Sequence, residues 1–298
     1  MNSQKVYKIF FLLYFISFIA IWMGCDKIEQ PYKESGNSTS DTTACPLPTF
    51  DVQPIVKKVL LEEFTGHTCG NCPASHDISS SLKQMYGNRL ILIAVHTGSF
   101  ALPKNYADGS FAYDFRSPCG EELNNSFGND AAGLPNGMID RKKVNGNEII
   151  RPSAWGTEIQ KSLGNAPLAG LQIINNYEAS SGKLCTAVQT AFTNAIQGTY
   201  QLMIYLTEDS IINWQKDYRK NPENIPDYVH RHVLRQSING TFGETIARGQ
   251  LLKGHNAKRS YKIQLKSTFN PLKCSIIAIL KDSTTSEIIQ VEEEKITP

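Results

Sequence analysis

Two cysteines separated by two residues, Cys69-Gly70-Asn71-Cys72, are the part of this chain best suited to chemistry. Thiols at that spacing can meet across the first turn of a helix. The unpaired N–H groups and the dipole at a helix N-terminus stabilise a thiolate. The first cysteine can then attack a disulfide, and the second can resolve the mixed disulfide that forms. Redox exchange is the leading reading of a CxxC set between a strand and a helix. Two other readings stay open. His67, Cys69, Cys72 and His76 form a Cys2His2 set of the type that holds structural zinc, although such sites usually draw ligands from two separated knuckles. The pair could also be a purely structural disulfide.

The surrounding pattern supplies the elements that must position these thiols. VLLEEF (59–64) predicts a short strand, and TGHTCGNCP follows as a loop. ASHDISSSLKQMYG (74–87) carries Ile78, Leu82 and Met85 at helical spacing and ends on Gly87. RLILIAVH (89–96) is a continuous apolar run, as expected of a buried parallel strand. Together these make a βαβ unit. Residues 97–133 read as irregular, with a helix near Glu121–Phe127. LPNGMIDRKKVNG (134–146) predicts a proline, a strand and a turn at Asn145–Gly146, and Ser153–Leu163 predicts a closing helix. From about 166 onward six or more short strand patterns follow without crossover helices, which predicts a β-sandwich interrupted by a long loop at 225–248.

The N-terminus accounts for the odd number of cysteines, seven in 298 residues. Lys5 and Lys8 precede an apolar run from Ile9 to Met23, and Gly24-Cys25 closes it. The run is short for a membrane span and suits a signal peptide. A small residue before Cys at that point resembles a bacterial lipoprotein signal, in which Cys25 becomes the lipidated N-terminus. The expected organisation is a signal peptide at 1–24, a flexible tether at 25–53, an α/β domain at 54–164 and a β-sandwich at 165–298. Removing residues 1–24 takes away Lys5 and Lys8 and turns the formal charge of +2 into 28 positive against 28 negative residues. No basic excess remains, so nucleic acid is not an expected partner. Export places the remaining six cysteines where disulfides persist.

VLLEEFTGHTCGNCP resembles the first strand and active-site loop of thioredoxin-like proteins. The resemblance implies that Glu63 is a buried acid serving the resolving Cys72, and that Leu134-Pro135 is a cis-proline loop that docks substrate backbone. Thr68 stands where such proteins usually carry Trp, and Gly70-Asn71 replaces their Gly-Pro or Pro-His. A wider resemblance rests on the lipoprotein signal, TGHTCGNCP, SPCGEELNNSFG, GLPNGMIDR and YVHRHVLRQSINGTFGE (228–244). These look like the Omp-type outer-membrane lipoproteins of Bacteroidetes. That resemblance implies a thioredoxin-like domain followed by an immunoglobulin-like β domain, anchored by lipid in the outer membrane. Three functions are considered, the weakest being a substrate-capturing component of a nutrient-uptake system; two lead. One is thiol–disulfide exchange on exported proteins, with Cys69, Cys72, Glu63 and Pro135 as the site. The other is a surface-exposed adhesin or binding lipoprotein, with a non-catalytic CxxC and an unidentified surface partner.

The other candidates carry weaker expectations. Cys185 and Cys274 fall on separate strand patterns and could bridge the sandwich, or stay buried free thiols. Cys45 has no local partner, and Cys119 is either an incidental thiol, a bridge to Cys45 or a third redox thiol. His230 and His232 would share a face if extended, but two ligands are too few for a metal. Glu292–Glu294 reads as a solvated strand face. No metal or cofactor is expected.

Overall fold

The computed structural model describes residues 45–51 and 53–297, so the expected signal peptide, Cys25 and most of the expected tether lie outside the described residues. Among the described residues no helix is long and apolar enough to cross a membrane.

The two apolar runs around the CxxC form strands β1 (Val59–Thr65) and β2 (Leu90–His96), each buried along its whole length. They pair in parallel, Val59 with Leu90 through Thr65 with His96. A parallel pair needs a crossover. Helix α1 (Cys72–Tyr86) supplies it, with Pro73 in its first turn and Gly87 at its end. Helix α2 (Pro118–Phe127) follows, capped by the Ser117 side chain, which accepts from Gly120 N–H. Strand β3 (Asn136–Ile139) runs antiparallel to β1, and helix α3 (Pro152–Leu163) closes this half. Leu82 of α1 and Trp155, Ile159 and Leu163 of α3 pack with Val59, Leu61, Leu90 and Leu92 on one face. Cys119 and Leu123 of α2 pack with Leu60, Phe64, Ile91, Ile93 and Val95 on the other.

The rest of the chain is strands: β4 (Ala169–Glu178), β5 (Lys183–Phe192), β6 (Ile196–Glu208), β7 (Ile211–Lys216), β8 (Asn224–His230), β9 (Val233–Ser237), β10 (Glu244–Leu251), β11 (Asn256–Gln264), β12 (Cys274–Asp282) and β13 (Ile288–Lys295). The protein is mostly β, and its largest sheet is mixed. That sheet runs β13-β12-β6-β9-β2-β1-β3, with β10 pairing the first part of β6 and β9 the last. Strands from before and after residue 164 therefore share one hydrogen-bonded sheet. The link is narrow, a parallel pairing at Ala94 and Val233. A second sheet, β11-β5-β4, packs its apolar side against β6 and β12. The remaining pair, β7-β8, is a separate hairpin.

The stretch 225–248, expected to be a loop, is largely strand: β8, β9 and the start of β10. NIPDYVH carries three charged or polar residues and a proline, which hides its alternation. On α1, Ile78 is 38% and Met85 71% exposed, while Ser75, Ser79 and Leu82 are buried. Helical spacing was correct, but the buried face is partly polar because it must accommodate a carboxylate.

Candidate functional site

Side-chain alternation along β1 decides what its two adjacent glutamates do. Glu62 faces α2 and meets Arg141 in a bidentate ion pair at 2.6 and 2.7 Å, with both side chains almost fully buried. Glu63 faces α1. Ser75 Oγ donates to it at 2.6 Å and Ser79 Oγ at 2.9 Å. Ser75 also contacts the Cys72 carbonyl oxygen at 2.8 Å, so the Glu63 carboxylate sits under the first turn of α1. The reading of Glu63 as a buried acid beside the CxxC agrees with this placement, for it is only 5% exposed.

Cys69 and Cys72 are joined in a disulfide, with their Cα atoms 5.4 Å apart. Cys72 is the first residue of α1, and its N–H donates to the Cys69 carbonyl at 3.2 Å. The preceding loop is tightly anchored. Thr68 N–H and Oγ both donate to the Phe100 carbonyl, at 3.1 and 2.9 Å. Gly66 is required by this approach, because a Cβ there would lie 2.5 Å from the Phe100 backbone. Leu134–Pro135 is cis. Phe64 pairs with Asn136, so Pro135 lies at the Thr65 end of β1, the end that leads into the CxxC loop. Arg151 Nη1 donates to the Gly133 carbonyl at 2.6 Å and holds this loop in place.

The β7–β8 hairpin was not expected here. Lys216 N–H donates to the His67 carbonyl at 2.8 Å, and Tyr218 N–H donates to the Gly70 carbonyl at 3.0 Å. Gln215 Nε2 donates to the Cys69 carbonyl at 3.1 Å. On α1, Arg219 pairs with Asp77 at 2.7 Å, and the Tyr228 hydroxyl lies 2.6 Å from His76 Nδ1. Cys69 is consequently 3% exposed and Cys72 fully buried. IINWQK at 211–216 shows no regular alternation, and nothing in it says which surface it covers.

A cavity of about 230 Å3 lies between α1, β2 and β8, lined by Glu63, His76, Ser79, His96, Tyr228 and His230 among others. His96 is 3% and His230 1% exposed. Burial holds the His96 imidazole well below its usual value and lowers His230 to about 3 and His67 to about 4. Both ring nitrogens of His96 lack a partner.

The Cys2His2 zinc set does not converge. Its thiols are joined to each other, His67 Nε2 faces the Leu102 carbonyl at 3.2 Å, and His76 faces Thr65 and Tyr228. His230 and His232 do not share an extended face either. The backbone turns at His232, with φ 53°, and its ring faces Asp209 while His230 faces the Trp214 carbonyl.

The possible Cys185–Cys274 bridge does not form, and of its two thiols Cys274 follows the free-thiol alternative. Cys185 pairs with Cys45, with Cα atoms 5.7 Å apart, and Cys274 is a buried free thiol. Cys185 lies on β5 of the smaller sheet, one strand edge away from the segment carrying Cys45, whereas Cys274 packs into the core from β12 of the larger sheet. Cys119 does not bridge to Cys45. It is a buried free thiol on α2, on the face of the sheet opposite α1, where burial raises its thiol. Of the acidic triplet, Glu292 pairs with Lys58 and Glu293 with Lys83.

Comparison with known proteins places the fold among characterised structures. HBP35 of Porphyromonas gingivalis aligns over 82% of this chain and 76% of its own, with TM-score 0.58 and 15% identity, which is a likeness of fold. A domain of the outer membrane lipoprotein Omp28 from Porphyromonas gingivalis aligns over 45% of this chain and 92% of its own, with TM-score 0.29 and 18% identity. No curated protein sequence matches the chain. A family model described as outer membrane protein Omp28 matches residues 122–298, more than half of the chain, and the protein belongs to this family of outer membrane proteins.

Proposed function

We propose that this protein is a lipid-tethered thiol–disulfide exchanger acting on exported proteins. In this reading a thioredoxin-like half carries the site, and an immunoglobulin-like β half follows it. Cys25 bears the lipid that holds the chain in the outer membrane. One observation carries the reading: a buried carboxylate, Glu63, is held by Ser75 and Ser79 beneath the helix turn that begins with Cys72. A structural disulfide has no use for a buried acid, whereas a resolving thiol needs a base to take its proton.

Exchange follows from the disulfide as it stands. A substrate thiolate attacks Cys69 Sγ, and Cys72 leaves as a thiolate that takes up a proton from solvent by way of the Glu63 carboxylate. A second substrate thiolate then attacks the substrate sulfur of the mixed disulfide, releasing Cys69. The substrate dithiol is oxidised to a disulfide and the protein pair is reduced to two thiols. The helix N-terminus stabilises both thiolates. Pro135 lies at the end of β1 where substrate backbone would dock.

A second reading has its own support. Both sulfurs are buried beneath the β7–β8 hairpin, as suits a disulfide that only staples the loop of a surface binding protein. Trapping separates the two. Under the exchange reading, Cys72→Ser protein in cell envelopes forms mixed disulfides through Cys69, identifiable by mass spectrometry. The reduced wild type also titrates Cys69 below the free-thiol value of about 8.5. No trapped proteins, no insulin reduction and an unshifted Cys69 would leave the staple reading standing.

A further inference from the structure

Glu63 meets solvent over little of its surface, for its side chain is 7% exposed at the wall of the histidine-lined cavity. Each exchange at Cys72 nevertheless loads or unloads a proton there, so turnover needs a path outward. The residue placed to provide one is His76, one turn along α1 from Cys72. Its Nε2 lies 3.7 Å from Glu63 Oε1 and 3.0 Å from Thr65 Oγ. Its Nδ1 lies 2.6 Å from the Tyr228 hydroxyl, and its side chain is 17% exposed, which puts the ring at the boundary between the buried acid and the surface. A neutral imidazole donates from one nitrogen and accepts at the other, so it can take a proton on one side and release it on the other. The 3.7 Å gap is of the kind that closes when a catalytic complex forms.

Resting on the exchange reading above, we propose that His76 relays the proton between the Glu63 carboxyl and solvent, with Tyr228 of the hairpin as the positioning residue that holds its ring.

The neighbours leave this role to His76. His96 from β2 and His230 from β8 face the same cavity, but burial keeps both neutral through the neutral range. Asp77 on α1 is paired with Arg219 of the hairpin, which also pairs with Asp217. Arg231 and His232 line the cavity beyond β8. Burial holds the Tyr228 phenol protonated, so Tyr228 orients the imidazole without ionising.

The relay can be tested on the full chain with oxidised glutathione as the probe. The Cys69 thiolate displaces one glutathione thiolate and forms a Cys69–glutathione disulfide. The Cys72 thiol then gives its proton to Glu63, and its sulfur displaces the second glutathione thiolate and closes Cys69–Cys72. The protein loses two electrons, and the two glutathiones gain them. Acid quenching and mass spectrometry read the two steps separately.

In His76→Ala and His76→Gln, the first step is expected to keep its rate. Resolution should slow by at least about tenfold at neutral pH, its rise with pH should move to higher pH, and the mixed disulfide should accumulate. Added imidazole should restore resolution in His76→Ala, a rescue that a merely structural role would not produce. Tyr228→Phe should slow resolution less than either. If resolution in the His76 variants matches wild type across the pH range, the relay is overturned and the exchange reading stands. If wild type and Cys72→Ser form no Cys69–glutathione disulfide at all, both fall together.

Discussion

Tyr218 lies over Gly70. Its N–H donates to the Gly70 carbonyl at 3.0 Å, and a Cβ added at Gly70 would sit 2.6 Å from the tyrosine ring. Glycine inside the CxxC is therefore what lets the hairpin close over the disulfide. Tyr218→Ala removes the ring, and Gly70→Ala forces it away. Both are expected to speed reduction of Cys69–Cys72 by dithiothreitol about tenfold, the effect of roughly 1.4 kcal/mol of lost cover. Reduction rates followed by alkylation and mass spectrometry check this. Unchanged rates would show that the hairpin does not limit access.

The Cys45–Cys185 disulfide ties the segment entering the fold to β5 across 140 residues of sequence. Closing so long a loop removes much entropy from the unfolded chain. Cys45→Ala or Cys185→Ala should each cost about 3–5 kcal/mol in non-reducing urea denaturation, and the double variant no more than either single one. A cost under about 1 kcal/mol would place the stabilisation elsewhere.

Arg141 and Glu62 form a buried pair in which each neutralises the other. Removing one partner strands a charge in the core. Arg141→Met should lower unfolding stability by about 3–5 kcal/mol, and pairing it with Glu62→Met should recover part of that loss. Arg141→Lys should not rescue, since an ammonium cannot reproduce the bidentate contact. Equal stability of the single and double Met variants would argue against a stranded charge.

Stability should fall with acid, and three buried imidazoles give the sign. Their folded values lie below the unfolded one, about 4 for His67, about 3 for His230 and well depressed for His96. Below about pH 6.5 the unfolded chain binds protons that the folded chain does not. Unfolding is therefore favoured as pH drops from about 6.5 towards 3, and this contribution is fully present above 6.5. Melting temperatures at pH 7 and pH 4.5 should differ, and His230→Phe should shrink the difference. A variant with the full wild-type drop would exclude His230 from it.

Local pattern carried the half that bears the CxxC. β1, α1, β2, β3 and α3 announce themselves because apolar runs, a proline after the strand and glycine stops act within a few residues. The site cysteines and Glu63 were legible for the same reason, since six residues of strand and loop fix their spacing. The burial pattern of α1 was legible only in part. Ile78 and Met85 have the right period, yet Ser75 and Ser79 are buried because they serve the carboxylate.

Long-range partners were another matter. A bridge from Cys185 to Cys274 was considered from strand patterns alone, which cannot say which sheet a strand joins. The choice of Cys45 follows from β5 standing in the smaller sheet. The hairpin over the CxxC, and with it Tyr218, Tyr228 and the histidine-lined cavity, is invisible locally, because its contacts to residues 67–77 span more than 130 residues.

The sequence by itself determined the chemistry available here: a CxxC at a helix start, a glutamate one strand away and a proline before β3. Each depends on neighbours close in the chain. Tertiary structure alone decided who covers that chemistry, which thiols pair across the fold and which imidazole stands between the acid and solvent. Those choices rest on strand order and on side-chain packing between distant segments, and the sequence pattern of either partner is compatible with many others.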